Sequence, residues 1–327
     1  MSADDPVARA VEVLLAGGLV GLPTETVYGL AVDASNPAAV ARMFAAKGRP
    51  ADHPVIVHLA EARAIADWAV DIPAAAWQLA AAFWPGPLTI ILKRAPHVAD
   101  AITGGQDTVG LRVPAHPVAH AVLAAFARAR AGRPAGVAAP SANTFGRVSP
   151  TTAAHVREEF GDAVDFVLDG GQSAVGIEST IVDLSSGAAR VLRPGRITAA
   201  QVAAVLGSAG AAGAVPSPVP RVSGALDSHY APRTPTLLVA GADLPAWLDA
   251  HAGRRVALLS PAAPARDGVL HWPAPADAEV YAHALYATLR AMDAAGCDLI
   301  VVQAPPQGGA WDGVNDRLRR AAHPAPA

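Results

Sequence analysis

Short helix-like and strand-like segments alternate from the N-terminus to about residue 205. "PVARAVEVLLAGG" reads as a helix closed by glycines, "LVGLPTE" as a strand, "PAAVARMFAAKG" as a helix and "PVIVHLA" as a strand. Further strands are expected at "LTIILK", "VGLRVP", "AGVAAP", "DFVLD", "STIVDL" and "ARVLR", with helices near 61–82, 117–130, 150–160 and 198–206. Elements this short bury their apolar faces only by sharing a sheet, so residues 1–206 form one α/β domain with many short strands. Residues 207–233, "GSAGAAGAVPSPVPRVSGALDSHYAPR", carry small residues, prolines and little periodicity and read as a linker. From 234 to 327, "TPTLLVA", "RRVALLS" and "CDLIVVQ" are apolar strands separated by helical segments, the pattern of a small parallel sheet.

A chain of 327 residues, 52% hydrophobic and 16% charged, is long and apolar enough to bury a core in each domain. Its single cysteine, Cys297, leaves no internal disulfide framework and points to the cytoplasm. The start, "MSADDPVARAVEVLL", lacks the basic opening and apolar core of a signal peptide, and no run approaches membrane-spanning length. The formal charge of -3 gives no global basic field, so a polyanion has to be met by a focused site.

The chemistry-bearing residues cluster in the first domain. In "FAAKGRPADHPVIVHLA", Lys47 and Arg49 flank the glycine that ends a helix; they either clamp phosphates or complement the helix dipole. His58 lies within an apolar strand and, taken alone, reads first as a satisfied core histidine. Arg112, between Leu111 and Val113, is costly to bury without a partner and needs an anionic ligand or a structural carboxylate. "AAPSANTFGRVSPTTAAHV" offers Ser141, Asn143 and Ser149 before a helix; Ser149 suits an N-cap, and that helix terminus suits an anion. Ser179 and Thr180 open a strand, and Arg193 precedes a Pro-Gly turn where a solvated cation is the default.

No G-x-x-x-x-G-K-[ST], G-x-S-x-G or H-E-x-x-H is present, and His116 and His120 lack a third ligand in sequence. Hydroxyls, a few focused cations and hardly any catalytic-looking acid or base suit phosphoryl or nucleotidyl transfer governed by positioning and charge neutralisation.

The segments "GLPTETVYGL", "KGRPADHPVIVHL", "WPGPLTIIL", "TVGLRVP", "APSANTFGRVSPT", "GIESTIVD" and "VLRPG" resemble the YrdC/Sua5 family, and "SHYAPRTP" followed by a small α/β domain resembles its longer, Sua5 form. The resemblance implies a YrdC-like twisted mixed sheet with a central concave site, then a linker and a small Rossmann-like parallel domain. It also implies the synthesis of threonylcarbamoyl-AMP and pyrophosphate from L-threonine, bicarbonate or CO2, and ATP. A separate system would then transfer the threonylcarbamoyl group to adenosine 37 of tRNA.

Position by position, the resemblance places Thr26, His58, Arg112, Ala139 and Ser179 on L-threonine, with Tyr28 and Gly29 shaping the pocket wall. Lys47 and Arg49 are expected on the ATP phosphates as the catalytic cations. His53, Thr108, Ser141, Asn143, Ser149, Arg193 and Tyr230 are expected on the nucleotide, with Tyr230 closing over it as part of a lid. Mg²⁺ is expected to arrive with ATP and to need no dedicated protein site. Weak RNA binding on a concave basic surface is the rival reading, and carbamoyl transfer of the hydrogenase-maturation kind is a second one, which lacks its zinc cysteines here.

Overall fold

The computed structural model describes residues 5–207, 219–224, 226–262 and 266–323. The first domain runs α1 (Pro6–Leu15), β1 (Val20–Leu22), β2 (Gly29–Asp33), α2 (Pro37–Lys47), β3 (Ile56–His58), α3 (Ala74–Phe83), β4 (Leu88–Lys93) and α4 (Asp100–Thr103). It continues through β5 (Thr108–Arg112), α5 (Pro117–Ala129), β6 (Val137–Ala138), α6 (Ala153–Phe160), β7 (Phe166–Val167), β8 (Thr180–Asp183), β9 (Arg190–Arg193) and α7 (Ala199–Leu206). The second comprises β10 (Thr236–Val239), α8 (Leu244–Ala250), β11 (Val256–Ser260), β12 (Val269–Pro273), α9 (Ala278–Asp293), β13 (Leu299–Gln303) and α10 (Asp312–Ala321).

β1–β9 form one mixed sheet in the order β7-β1-β2-β6-β3-β5-β4-β8-β9. Helices α1 and α5 cover one face through Val11, Leu14, Val122 and Phe126. On the other, Met43, Phe44, Leu79, Val156 and Val202 from α2, α3, α6 and α7 pack against Leu30, Val57, Ile90 and Leu111. The order brings β3 beside β5 in parallel, so His58 and Arg112 are register partners, and β8 beside β4. Residues far apart in the chain thus converge at one end of the central strands.

The second sheet, β10-β13-β11-β12, is wholly parallel. Its helices α9 and α10 do not close the second core alone. Tyr286, Leu289, Val314 and Leu318 pack with Val27, Val148 and Ile177 of the first domain and with Tyr230 of the linker. Close approach is enforced at Gly176, where φ is +82° and an added Cβ would lie 2.4 Å from the Ala282 carbonyl oxygen.

Several elements differ from the sequence reading. The strand at "LVGLPTE" stops at Leu22, because residues 23–27 turn into the site. The helix expected over 61–82 is a 3-10 segment, Ala62–Asp67, and then α3, interrupted where Asp71 takes φ +51° and Pro73 precedes the new helix. The helix expected from 150 starts at Ala153, since Thr152 rather than Ser149 caps it, its side chain accepting from the His155 N–H. Strand β12 escaped the sequence reading because four of its five residues are tryptophan, histidine, proline or an exposed leucine at a sheet edge. Residues 208–218 and 225 of the expected linker lie outside the described residues.

Candidate active site

Asn36 and Pro37 start α2, and Gly48, at φ +59°, ends it. The left-handed turn directs the chain sharply away, so Lys47 points to the loop after β6 while Arg49 points to the segment before β3 and to Ser223. Lys47 is 2% exposed; its Nζ donates to the Ser141 carbonyl at 2.5 Å and to the Asn143 carbonyl. Arg49 donates to the Pro54 carbonyl and to Ser223 Oγ. Arg193, also 2% exposed, donates to the Ser179 and Ser223 carbonyls and to Ser179 Oγ. Among the described residues none of these three cations makes a salt bridge to a carboxylate. Burial, reinforced by Arg49, holds the Lys47 ammonium well below its usual pKa, and burial brings Arg49 down to about 10. Buried cations answered only by neutral oxygens are costly, and an anion relieves that cost. Neither the dipole role considered for Lys47 nor the solvated turn considered for Arg193 describes what the fold makes of them.

Beside the cations lies a recess of different character. Arg112 donates from Nη2 to Glu25 Oε1 at 2.6 Å, from Nη1 to Thr26 Oγ1 at 2.8 Å and from Nε to the Gly86 carbonyl. The structural carboxylate left open by sequence is therefore Glu25. Burial alone would raise its carboxyl, but Arg112 outweighs this and holds it low. Three of the guanidinium's five donors are engaged, which leaves two for a ligand at a site that is already nearly charge-balanced. Such a site suits a zwitterion better than a polyanion. Thr26 Oγ1 also pairs with Thr24, and Ser179 Oγ with Thr89, giving two hydroxyl clusters on the same wall. His58 has an unpartnered Nδ1, and burial with Arg112 beside it pulls its pKa to about 3, so the ring is neutral.

Thr26, Gly29, His58, Arg112, Ala139, Ser141, Ser179, Arg193 and Tyr230 all line one cavity of about 480 Å³, its mouth included. Thr108 lies in a neighbouring recess that shares Ile56 and Ser223 with it, so a long ligand can span both. The other expected residues sit behind these walls. Tyr28 belongs to the core, its hydroxyl bonded to Gly170 and Gly171. Asn143 braces its own loop through the Thr144 and Arg147 carbonyls. His53 packs edge-on against Phe145. His116 caps α5 and His120 is exposed on it, and among the described residues no group of three metal-binding side chains forms.

Sequence reasoning missed the acid of the cavity. Glu178 accepts from Ser149 Oγ at 2.6 Å, from Tyr286 O–H at 2.9 Å and from Arg317 Nε at 2.8 Å. Ser149 therefore serves Glu178 rather than a helix N-terminus. Burial would raise the Glu178 carboxyl; Arg317 and Arg193 overcome it and bring it to about 2. Arg317 is fully buried, also pairs with Asp316, and lies 5.4 Å below the Tyr230 ring. Tyr230, held at φ +61° and 1% exposed, roofs the cavity while anchored in the second domain's core. Of the two roles weighed for this tyrosine, docking onto the second domain is the one its contacts show. The only sequence hint of Glu178 was a carboxylate inside the hydroxyl-rich "GIEST".

A cavity walled by two buried arginines, a neutral imidazole and paired hydroxyls has the make-up of an enzyme active site. Comparison with known proteins specifies the kind. Residues 12–195 match the Sua5/YciO/YrdC family, described as telomere recombination, and residues 197–323 match the C-terminal domain of threonylcarbamoyl-AMP synthase. A protein of Pyrococcus abyssi named threonylcarbamoyl-AMP synthase is 36% identical over 94% of this chain and 91% of its own. One of Bacillus subtilis with the same name is 35% identical over 98% and 94%. The crystal structure of P. abyssi Sua5 complexed with L-threonine superposes with a TM-score of 0.85 at 34% identity, covering 97% of this chain and 94% of that one. The chain belongs to the Sua5/YrdC family, in its long form with both domains.

Two expectations follow from the buried charges. The unfolded chain protonates His58 and His229 near 6.5, whereas the folded chain resists until about 3. Stability should therefore fall as pH drops below 6.5, by about 1.4 kcal/mol per pH unit for each of the two. Urea unfolding at pH 7, 6 and 5 reads this loss, and His58→Asn should remove up to about 1.4 kcal/mol per pH unit of it; an unchanged slope would mean the folded ring is charged. Arg317→Ala strands the Glu178 carboxylate and should cost about 3–5 kcal/mol, with much of that recovered in the Arg317→Ala, Glu178→Gln pair. Additive losses would show that the two residues do not act as a unit.

Proposed function

We propose that this protein is a threonylcarbamoyl-AMP synthase, condensing L-threonine, bicarbonate or CO2, and ATP to threonylcarbamoyl-AMP and pyrophosphate. The product serves a separate transferase that completes N6-threonylcarbamoyladenosine in tRNA. The observation that carries the reading is the division of charge: among the described residues Lys47, Arg49 and Arg193 make no salt bridge to a carboxylate, while Arg112 is balanced by Glu25. A triphosphate suits the first group and an amino-acid zwitterion the second.

In this reading the threonine carboxylate takes the two remaining Arg112 donors, and its hydroxyl meets the Thr26 or Ser179 cluster. The amine, once neutral, adds to CO2; a carbamate oxygen then attacks the α-phosphorus and pyrophosphate leaves. The cations stabilise charge that grows on the phosphates in the transition state. Carbamates decompose in water, and the Tyr230 roof limits its access. Glu178, the only acid lining the cavity among the described residues, has both oxygens engaged and does not fit as a metal ligand. Mg²⁺ bound to the ATP phosphates would neutralise part of their charge.

Purified protein given ATP, labelled bicarbonate and each amino acid in turn should release pyrophosphate and form a labelled acyl adenylate with threonine. Serine should work less well. Valine, which leaves the hydroxyl cluster unpaired, should be disfavoured by on the order of a hundredfold or more. Valine turned over as fast as threonine would sink the reading of the recess.

Titration calorimetry should separate the two ends of the cavity. Arg112→Ala is expected to weaken threonine by about 2–3 kcal/mol and ATP little, and Lys47→Ala to do the reverse. Equal losses of both ligands in both variants would show that the charges are not divided this way.

A further inference from the structure

Carbamate formation releases a proton that something in the cavity has to accept. Threonine enters with an ammonium group. With bicarbonate the N–C bond forms and a C–OH bond breaks, yielding the carbamate, one water and one proton. Glu178 is fully engaged by Ser149, Tyr286 and Arg317. Two imidazoles remain on the walls, His58 and His229.

We propose that His229 is the catalytic proton acceptor and that bound nucleotide arms it. This rests on the synthase reading above. Its ring is clamped between Phe145, 6.0 Å away edge-on, and Tyr230 at 4.2 Å, while its backbone N–H is tied to the Arg320 carbonyl of α10. The ring is therefore oriented, yet Nδ1 is buried without any partner, a cost that folded proteins rarely leave unexplained. The charged groups around it are Lys47 and Arg49 from the end of α2, Arg193 from β9, and Glu178 from the approach to β8. Burial is the main reason that its pKa sits at about 3; Glu178 pulls it up, and Arg49, Lys47 and Arg193 push it down.

Those three cations are the ones a triphosphate neutralises. ATP thus reverses the local field and raises the proton affinity of His229 at the moment a proton must be taken up. His58 has no such switch, because its neighbour Arg112 is already paired with Glu25. The proton passes from the threonine nitrogen to His229 and leaves to solvent when pyrophosphate departs. The arrangement imposes an order, with ATP bound before the carbamate forms.

The test compares wild type, His229→Gln, His229→Ala and His58→Asn by pyrophosphate release at saturating substrates across pH. Wild type should show a rising limb. His229→Gln should lose that limb and on the order of 10²–10⁴ in kcat, with ATP and threonine affinities changed only a few-fold. Added imidazole should partly restore His229→Ala. Calorimetry near pH 6 in buffers of different ionisation heat should show proton uptake on ATP binding in wild type and none in His229→Gln. An active wild type whose His229→Gln variant keeps the limb and the uptake, or a limb lost only in His58→Asn, overturns this inference alone. A wild type that releases no pyrophosphate with any amino acid overturns the synthase reading beneath it as well.

Discussion

The pairing of Glu178 with Arg317 ties the two domains into one site. Arg317 comes from α10 and Glu178 from the wall of the cavity, and the contact is fully desolvated. A buried pair of this kind is a weak source of net stability, but it tolerates no half-measures: removing either charge strands the other. That intolerance fixes how α9 and α10 sit on the first domain. The same carboxylate holds Ser149 and Tyr286, and the same guanidinium lies below the Tyr230 ring.

The cationic side of the site is governed by the opposite principle. Lys47, Arg49 and Arg193 are surrounded by carbonyl and hydroxyl oxygens, which satisfy hydrogen bonds without cancelling charge. The fold accepts a strained electrostatic state there, and the lowered pKa values of all three are its signature. Arg193 lines the same cavity as Arg112, which Glu25 balances. The site thus presents two charge environments, one built on hydrogen bonds to neutral oxygens and one on a buried ion pair.

Much of the first domain was legible in order and kind. Asn36, Pro37 and Gly48 mark the ends of α2 by local chemistry, and the apolar runs at "LTIILK" and "STIVDL" became β4 and β8. The failures were local competitions that spacing alone does not resolve. Thr152 outcompeted Ser149 as a cap because Ser149 found a carboxylate elsewhere. The break before α3 depends on Asp71 adopting a positive φ, which no periodicity announces.

By itself the sequence determined which segments form helices and strands, and where cations, hydroxyls and glycines stand along them, because propensities and caps act over a few residues. It placed Lys47 and Arg49 at a helix end and Arg112 inside an apolar strand. Only the tertiary structure decided which of these charges are answered. Arg112 meets Glu25 across 87 residues and Arg317 meets Glu178 across 139, whereas among the described residues Lys47 and Arg193 make no salt bridge. Those outcomes follow from sheet order and from what covers the site. Desolvation and charge pairing depend on distances in space, and distance along the chain does not encode them.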